Sequence, residues 1–439
     1  MDPVTHAVSG VALAVTLESQ NGRLPAHLDR TLIVAALAGM SPDIDYFQTP
    51  FGPGNEGLSY MLCHRGVVHS FVFCLLLSAL IVGLVWLFSR KGAAPGRLFL
   101  IGFLCASLHV VMDGTNDYGV HPFWPIWNGW LYGDFIFLLE PLVVLSLLPL
   151  ALRGILSDRG SRRANLIQLG LAVLALLGLL TLLWIRVAQG QYIGWLSTLF
   201  ASGYLLGHVL LACWRRNYSP FAWGSLLLVY GVFFLASRQA KAEATQAVQA
   251  ASPQARLVQV DTTPAASNPF CWGVTTAAFD ASTGRIITRM GTLSLIPRQL
   301  SPCECRTATR EGPPTFNPGV PLACAEGEGV AWHWLAQRET NVEDLRVLAA
   351  RNCRVAEALR FLRTPALIRQ TSDAQALLGD LRLDYSTDLA EYCKYRFDEQ
   401  EQIEPRKCEF STLWIRYSIP HWIPPFFDPR SGGPAMEPR

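Results

Sequence analysis

The sequence predicts an α-helical, multi-pass membrane domain of about eight segments, followed by a small α+β extracytoplasmic domain. Hydrophobic residues make up 51% of the 439-residue chain and charged residues only 16%, whereas soluble domains carry about 25% charge. Long apolar runs alternate with short polar links up to about residue 240, and the composition beyond that point is typical of a soluble domain. The two parts are therefore predicted to fold in different environments.

The membrane part is predicted from apolar runs, since a full span needs about 20 apolar residues. Residues 67–88, 164–185 and 193–213 meet this requirement, whereas the first two segments are short enough to be half-helices or re-entrant pieces. The predicted segments are 5–17, 31–44, 67–88, 98–112, 134–152, 164–185, 193–213 and 220–236.

The positively charged residues predict the orientation of these segments. Cytoplasmic links carry an excess of Lys and Arg, and most of these residues lie in alternate links, around Arg30, Arg90, Arg162 and Arg215. With eight crossings, the amino terminus and the region after residue 237 are then expected outside.

The carboxy-terminal part is divided by composition. Residues 1–238 are the predicted membrane domain, 239–267 an Ala-rich linker, 268–425 the α+β domain and 426–439 a disordered tail rich in Pro and Gly. Strands are expected at 272–280 and 285–296 around a turn, and a helix at 340–363 with Thr340 or Asn341 as N-cap. Further strands are expected in PALIRQTSD, QALLGDLRLDY and FSTLWIRYS.

Seven of the eleven cysteines lie in the carboxy-terminal domain. Paired cysteines suit an oxidising compartment, and three disulfides with one cysteine left over are expected. Cys303 and Cys305 are separated by one residue rather than by the two to four usual in zinc sites. A structural zinc site is therefore the weaker interpretation.

Residues of metal-ligand type mark the ends of the first four predicted segments. An ionisable residue there is costly to keep and indicates a functional site, and the predicted topology places all of them on the external face. Taken singly, each also fits an interfacial or capping role, but their joint placement favours a metal centre. The candidate ligands are His6, Asp43, Asp45, His64, His69, His109 and Asp113.

Imidazole and carboxylate ligands suit a divalent metal such as zinc, manganese or iron, and zinc is the expected ion. Seven ligands exceed one tetrahedral ion, so two ions with shared or supporting carboxylates are expected. Asp43 or Asp45 is a candidate general base. Arg65 is a candidate for binding a substrate phosphate or carboxylate, or for pairing with one of those aspartates. Further candidates are Asn116, His121, Asp134 and Glu140.

These motifs resemble the YdjM-like family of bacterial inner-membrane proteins, which are described as metal-dependent hydrolases and as LexA-regulated. The family boxes stand here as THAVSG, SPDIDYF, HRGVVHSF, LHVVMDGTNDYG and LLEPL, within about residues 1–142. The last box departs from the pattern, because Glu140 occupies the place of the usual Asp. The resemblance implies an inner-membrane location, a periplasmic carboxy-terminal domain and a metal-dependent hydrolase that uses the motif residues as ligands.

Two functions of different classes remain. One is a membrane-embedded hydrolase that cleaves an ester or phosphoester of a membrane lipid or lipid-linked substrate at the external interface. The other is a non-enzymatic metal-binding protein, either a transporter or a sensor. Transporter sites lie near the bilayer midplane, so ligands at segment ends favour the hydrolase. The sequence has no basic run, zinc-finger spacing or helix-turn-helix signal, so no nucleic-acid partner is expected.

Overall fold

The computed structural model describes most of the chain outside several loops and the carboxy-terminal tail. The predicted segment 164–185 (apart from residue 170), the strand in FSTLWIRYS and the tail 426–439 lie outside the described residues. The described ranges are 2–19, 28–51, 64–88, 94–127, 129–138, 140–156, 195–215, 217–303, 331–369, 375–383 and 394–398, with a few isolated positions.

The amino-terminal part is helical, as predicted. Among the described residues, four helices are long and apolar enough to cross a membrane, α3 (Phe71–Phe88), α4 (Pro95–Asp113), α6 (Trp195–Trp214) and α7 (Ser219–Ala251), and α5 (Pro141–Ile155) is a shorter apolar helix. The predicted eight segments are thus matched in part. The described helices are α1 (Pro3–Glu18), α2 (Asp29–Met40), α3 (Phe71–Phe88), α4 (Pro95–Asp113), α5 (Pro141–Ile155), α6 (Trp195–Trp214) and α7 (Ser219–Ala251).

Local signals explain where these helices begin. Pro3, Pro95 and Pro141 occupy the first turns of α1, α4 and α5, where a backbone N–H is not needed. Glu140 caps α5 by accepting a hydrogen bond from the Leu142 N–H at 3.1 Å. The fifth helix therefore begins at residue 141, and the prediction that it begins at 134 is wrong.

Helices α1 and α2 approach closely at two glycines. A Cβ atom on Gly10 would lie 2.5 Å from the Ala35 carbonyl oxygen, and one on Gly39 would lie 2.7 Å from the His6 carbonyl oxygen. Small residues let membrane helices approach at the backbone in this way. The crossing places the first turn of α1 beside the end of α2.

The described residues of the carboxy-terminal part form two antiparallel sheets, with strand orders β1-β2-β3-β4 and β5-β6-β7. The predicted strands at 272–280 and 285–296 are confirmed as β2 and β3. The predicted helix at 340–363 is two helices, because Asn352 interrupts it and caps the second one. Asn341 caps the first. The elements are β1 (Arg256–Ala265), β2 (Asn268–Asp280), β3 (Arg285–Ser294), β4 (Trp332–Asn341), α8 (Val342–Arg351), α9 (Cys353–Phe361), β5 (Pro365–Arg369), β6 (Gln375–Asp380) and β7 (Lys394–Asp398).

Residues 239–267 do not form the predicted linker. Helix α7 continues to Ala251, and β1 begins at Arg256. Alanine favours the helix, and Ala240, Ala244 and Ala247 form a buried stripe on it. Ala247 belongs to the same apolar cluster as Trp334 in the sheet. Packing therefore turns an apparent linker into a continuous connection between the membrane helices and the sheet.

Disulfides occur in the carboxy-terminal domain, as predicted. Cys271 and Cys305 are bonded to each other, and Cys303 and Cys353 are also disulfide-bonded. The cysteines described in the membrane part, Cys74, Cys105 and Cys213, are free thiols. The three-disulfide prediction also involves cysteines outside the described residues and stays a prediction.

Candidate metal centre

Three short pieces of chain bring the candidate ligands together. Asp43 lies on a 3₁₀ segment, Ser41–Phe51, which follows α2 directly because Pro42 has no backbone N–H to continue the α-helical hydrogen bonds. His69 ends a second 3₁₀ turn, Val67–His69. His109 and Asp113 lie in the last turn of α4 and share one face. The ends of α2 and α4 thus meet the start of α3.

Four donor atoms face one point in this region. The Nε2 atoms of His69 and His109 are 3.2 Å apart. Asp43 Oδ1 lies 3.6 Å from the first and 3.5 Å from the second, and Asp113 Oδ2 lies 3.4 Å from each. These residues form a group whose ligand atoms all lie within 4.8 Å of one another.

The spacing of these atoms fits a single metal ion. A tetrahedral metal with bonds of about 2.0–2.2 Å needs donor atoms about 3.3–3.6 Å apart. The five separations above run from 3.2 to 3.6 Å. Among the described residues, the donor atoms therefore define one centre rather than the expected two.

The contacts of the Nδ1 atoms of the two histidines favour the same conclusion. His109 Nδ1 lies 2.7 Å from the Gly39 carbonyl oxygen, and His69 Nδ1 lies 3.2 Å from Asp45 Oδ2. The Gly39 carbonyl oxygen can only accept, so His109 Nδ1 carries a hydrogen and, in the neutral ring, its Nε2 presents a lone pair. The contact of His69 Nδ1 with a carboxylate favours the same tautomer for His69. Metal-binding histidines are usually held by this kind of partner. A cation between them would stabilise two facing lone pairs beside two carboxylates.

The charges around the centre are unbalanced. Among the described residues, the cluster contains three carboxylates, those of Asp43, Asp45 and Asp113, and one guanidinium, that of Arg65, which pairs with Asp113. With neutral histidines the cluster carries two excess negative charges, which a divalent cation would neutralise.

Asp45 supports the centre from outside the four-atom group. It is 1% exposed, and its carboxylate accepts hydrogen bonds from His64 Nδ1 at 3.0 Å and from the Arg65 N–H at 2.8 Å. The second bond uses a left-handed backbone at Arg65, where φ is 59°. Together with its contact to His69, Asp45 links three residues of the HRGVVHS motif.

A second set of contacts orients Asp113. His6 Nε2 lies 3.2 Å from Asp113 Oδ1, and the His6 ring stacks on His109 at a centroid distance of 3.5 Å. Arg65 Nε lies 3.1 Å from Asp113 Oδ2, and Arg65 Nη1 donates to Asn116 Oδ1 at 2.7 Å. The described contacts of Arg65 are therefore those of a residue that orients a ligand.

The structure divides the seven predicted ligands into two groups. Asp43, His69, His109 and Asp113 supply the donor atoms that face one point. His6 and Asp45 contact these residues from outside, and His64 contacts Asp45. The sequence does not distinguish the groups, because all seven are of ligand type and all lie at segment ends. Asp45, His6 and His64 lie outside the group of four donor residues, and direct binding of the ion by these three stays a prediction.

The remaining candidates have structural partners. His121 Nδ1 lies 3.3 Å from the Arg65 carbonyl oxygen. Asp134 accepts hydrogen bonds from Arg363 at 2.7 and 3.0 Å and from Lys241 Nζ at 2.8 Å. Arg363 also pairs with Asp261 of β1. Sequence reasoning missed these partners, because they lie more than a hundred residues from Asp134.

Fold and site together define an α-helical membrane protein with a buried His–Asp cluster suited to a metal ion. Residues 1–193 match the family model described as YdjM inner membrane protein. The match confirms the resemblance predicted from the motif boxes, over the part of the chain that contains the cluster. No curated protein and no solved structure matches the chain.

Proposed function

We propose that this protein is a metal-dependent hydrolase whose centre lies at the external membrane interface. The observation that carries the proposal is the group of four donor atoms in a region with excess negative charge. Its two histidine nitrogens lie 3.2–3.6 Å from each other and from both carboxylate oxygens. The donor set of two imidazoles and two carboxylates suits zinc, manganese or iron. The proposed ligands are Asp43, His69, His109 and Asp113.

A divalent metal held there would lower the pKa of a water molecule and polarise a carbonyl or phosphoryl oxygen. The other roles belong to the side chains. Asp43 is the most accessible of the four, with 14% of its side chain exposed, so a substrate would approach from its side. Its Oδ2 atom has no hydrogen-bond partner among the described residues. This oxygen is the proposed proton acceptor.

The position of the centre supports a lipid or lipid-linked substrate. The ligands lie where α2 and α4 end and α3 begins, and α3 and α4 are long and apolar enough to span. The first residue of a spanning helix lies near the headgroups, so an ester or phosphoester of a lipid would be within reach. A transporter would instead place its ligands near the midplane.

A metal-stabilised sensor is the second candidate, and one observation favours it. Catalytic zinc sites usually have three protein ligands and an open position, whereas closed four-ligand sites are structural. The four donors here fit a closed site equally well. Arg363 of the carboxy-terminal domain is paired with Asp134 in the α4–α5 connection, which would transmit a signal from that domain towards the centre.

Metal analysis combined with a substrate panel separates the two candidates. Purified protein in lipid nanodiscs should contain one divalent ion per chain and release water-soluble headgroup from phospholipid vesicles or product from phosphoester dyes. Asp43→Asn should lower both metal content and turnover, whereas Asp29→Asn, at an exposed position on α2, should change neither. Metal binding without turnover on any substrate would favour the sensor, and metal-free protein with full turnover would refute the proposal.

We also propose that the carboxy-terminal domain is extracytoplasmic. Its disulfides suit an oxidising compartment, and the positively charged links are expected on the opposite side. A reporter that is active only outside the cytoplasm, joined after Ser252, should be active. Activity of a cytoplasmic reporter at the same position would reverse the proposed orientation of the centre.

A further inference from the structure

The connection between α4 and α5 contains an uncharged loop, residues 120–131, which we call the aromatic loop. Backbone hydrogen bonds of 3.0 and 2.9 Å between Val120 and Leu131 close its base. Its sequence is VHPFWPIWNGWL. At the tip, Phe123 is 50% exposed, Ile126 91% and Trp127 45%. Three large apolar side chains thus project from one short loop.

The base of this loop is fixed beside the metal centre. The Phe71 N–H donates to the Pro122 carbonyl oxygen at 2.9 Å, and the Phe71 and Phe123 rings lie 5.7 Å apart. Phe71 is the first residue of α3 and follows the ligand His69 by two positions. The loop therefore lies at the depth where a spanning helix meets the headgroups.

The apolar tip continues a surface that faces lipid. Helix α3 has the most apolar 18-residue window of the candidate spans, and it exposes Val72, Leu75, Leu76 and Leu80. Exposed apolar groups that form one patch mark a protein or membrane contact. Tryptophan and other aromatic residues are enriched at the headgroup level. Continuity with the outer face of α3 identifies lipid as the occupant.

We propose that the tip of the aromatic loop inserts into the boundary between headgroups and acyl chains, next to the metal centre. Lipid would then contact the protein within a few residues of His69 and Arg65. The inference goes beyond the proposed function, because lipid contact at the loop does not depend on whether the centre cleaves a bond.

Photo-crosslinking in a defined bilayer tests this contact. Full-length variants carrying p-benzoylphenylalanine at single positions would be placed in nanodiscs of phosphatidylethanolamine and phosphatidylglycerol, irradiated and weighed by mass spectrometry. Ile126→p-benzoylphenylalanine is the test variant. Leu80 on α3 is the lipid-facing control, and Val347 on α8, 40% exposed, is the control in the carboxy-terminal domain.

Protein–lipid adducts at residue 126 should form with a yield comparable to that at residue 80 and severalfold above that at residue 347. A yield equal to that at residue 347 would overturn the proposal. Adducts with the mass of two chains would also overturn it, since they would assign the tip to contact between copies. Unchanged metal content in the residue-126 variant would show that the centre remains folded.

Discussion

Replacing Asp45 by asparagine tests whether the structure has correctly separated the metal ligands from their supports. The carboxylate of Asp45 lies 3.0 Å from His64 Nδ1, 2.8 Å from the Arg65 N–H and 3.2 Å from His69 Nδ1. An asparagine amide has only one oxygen, so its NH₂ group would replace the oxygen that faces either His64 Nδ1 or the Arg65 N–H and His69 Nδ1. The change keeps the size of the side chain but removes its charge.

Asp45→Asn should weaken metal binding, because Asp45 contacts the proposed ligand His69. Removing such a partner costs about 10–100-fold in metal affinity, which corresponds to about 1.4–2.7 kcal/mol. His69→Ala removes a donor atom itself and should cost more. The order of affinities should therefore be wild type, then Asp45→Asn, then His69→Ala.

Competition of the purified proteins with a chromophoric chelator for added Zn²⁺ would measure these affinities. Asp29→Asn serves as the matched control, because that carboxylate is exposed on α2, and circular dichroism would confirm that the helices are retained. Complete loss of binding in Asp45→Asn, equal to that in His69→Ala, would make Asp45 a ligand. Unaltered affinity would show that its contact with His69 does not support the ion.

Two further predictions concern the contacts of the carboxy-terminal domain with the membrane part. Arg363→Met leaves Asp134 and Asp261 buried without their shared cation, which should cost about 3–5 kcal/mol of unfolding free energy, whereas Arg285→Met breaks an exposed pair and should cost less than about 1 kcal/mol. Similar denaturation midpoints for the two variants would contradict this. The second prediction concerns Glu140, which accepts a hydrogen bond from the Ser267 N–H at 3.0 Å. Burial raises the pKa of Glu140 from 4.5 to about 7, although its hydrogen bonds with Ser267 and Leu142 partly offset this rise. Because the folded pKa is higher, stability should fall as the pH rises from about 4.5 to 7, by up to roughly 3 kcal/mol. Glu140→Gln should flatten this dependence in denaturation at pH 5 and pH 8, and an equal slope in both proteins would disprove it.

Some elements could be predicted because their signals are local. Apolar runs located the helices, and the turn between β2 and β3 is visible in the residues around Ser282. Strand β1 was missed because its buried polar residues, Asp261 and Thr262, resemble a solvated linker. Asp261 is stabilised there by Arg363, which lies about a hundred residues later in the chain. No local sequence pattern predicts that pairing.

The sequence by itself determined the residue types of the centre and their places at helix ends. It did so because a charged or ligating side chain stands out against an apolar run, and the family match covers that same part. Only the tertiary structure decided which of the seven residues face one point. Asp43 and Asp45 have the same chemistry and lie two positions apart. The contacts of Asp45 with His64 and Arg65 turn its carboxylate towards the supports, whereas Asp43 faces the two Nε2 atoms.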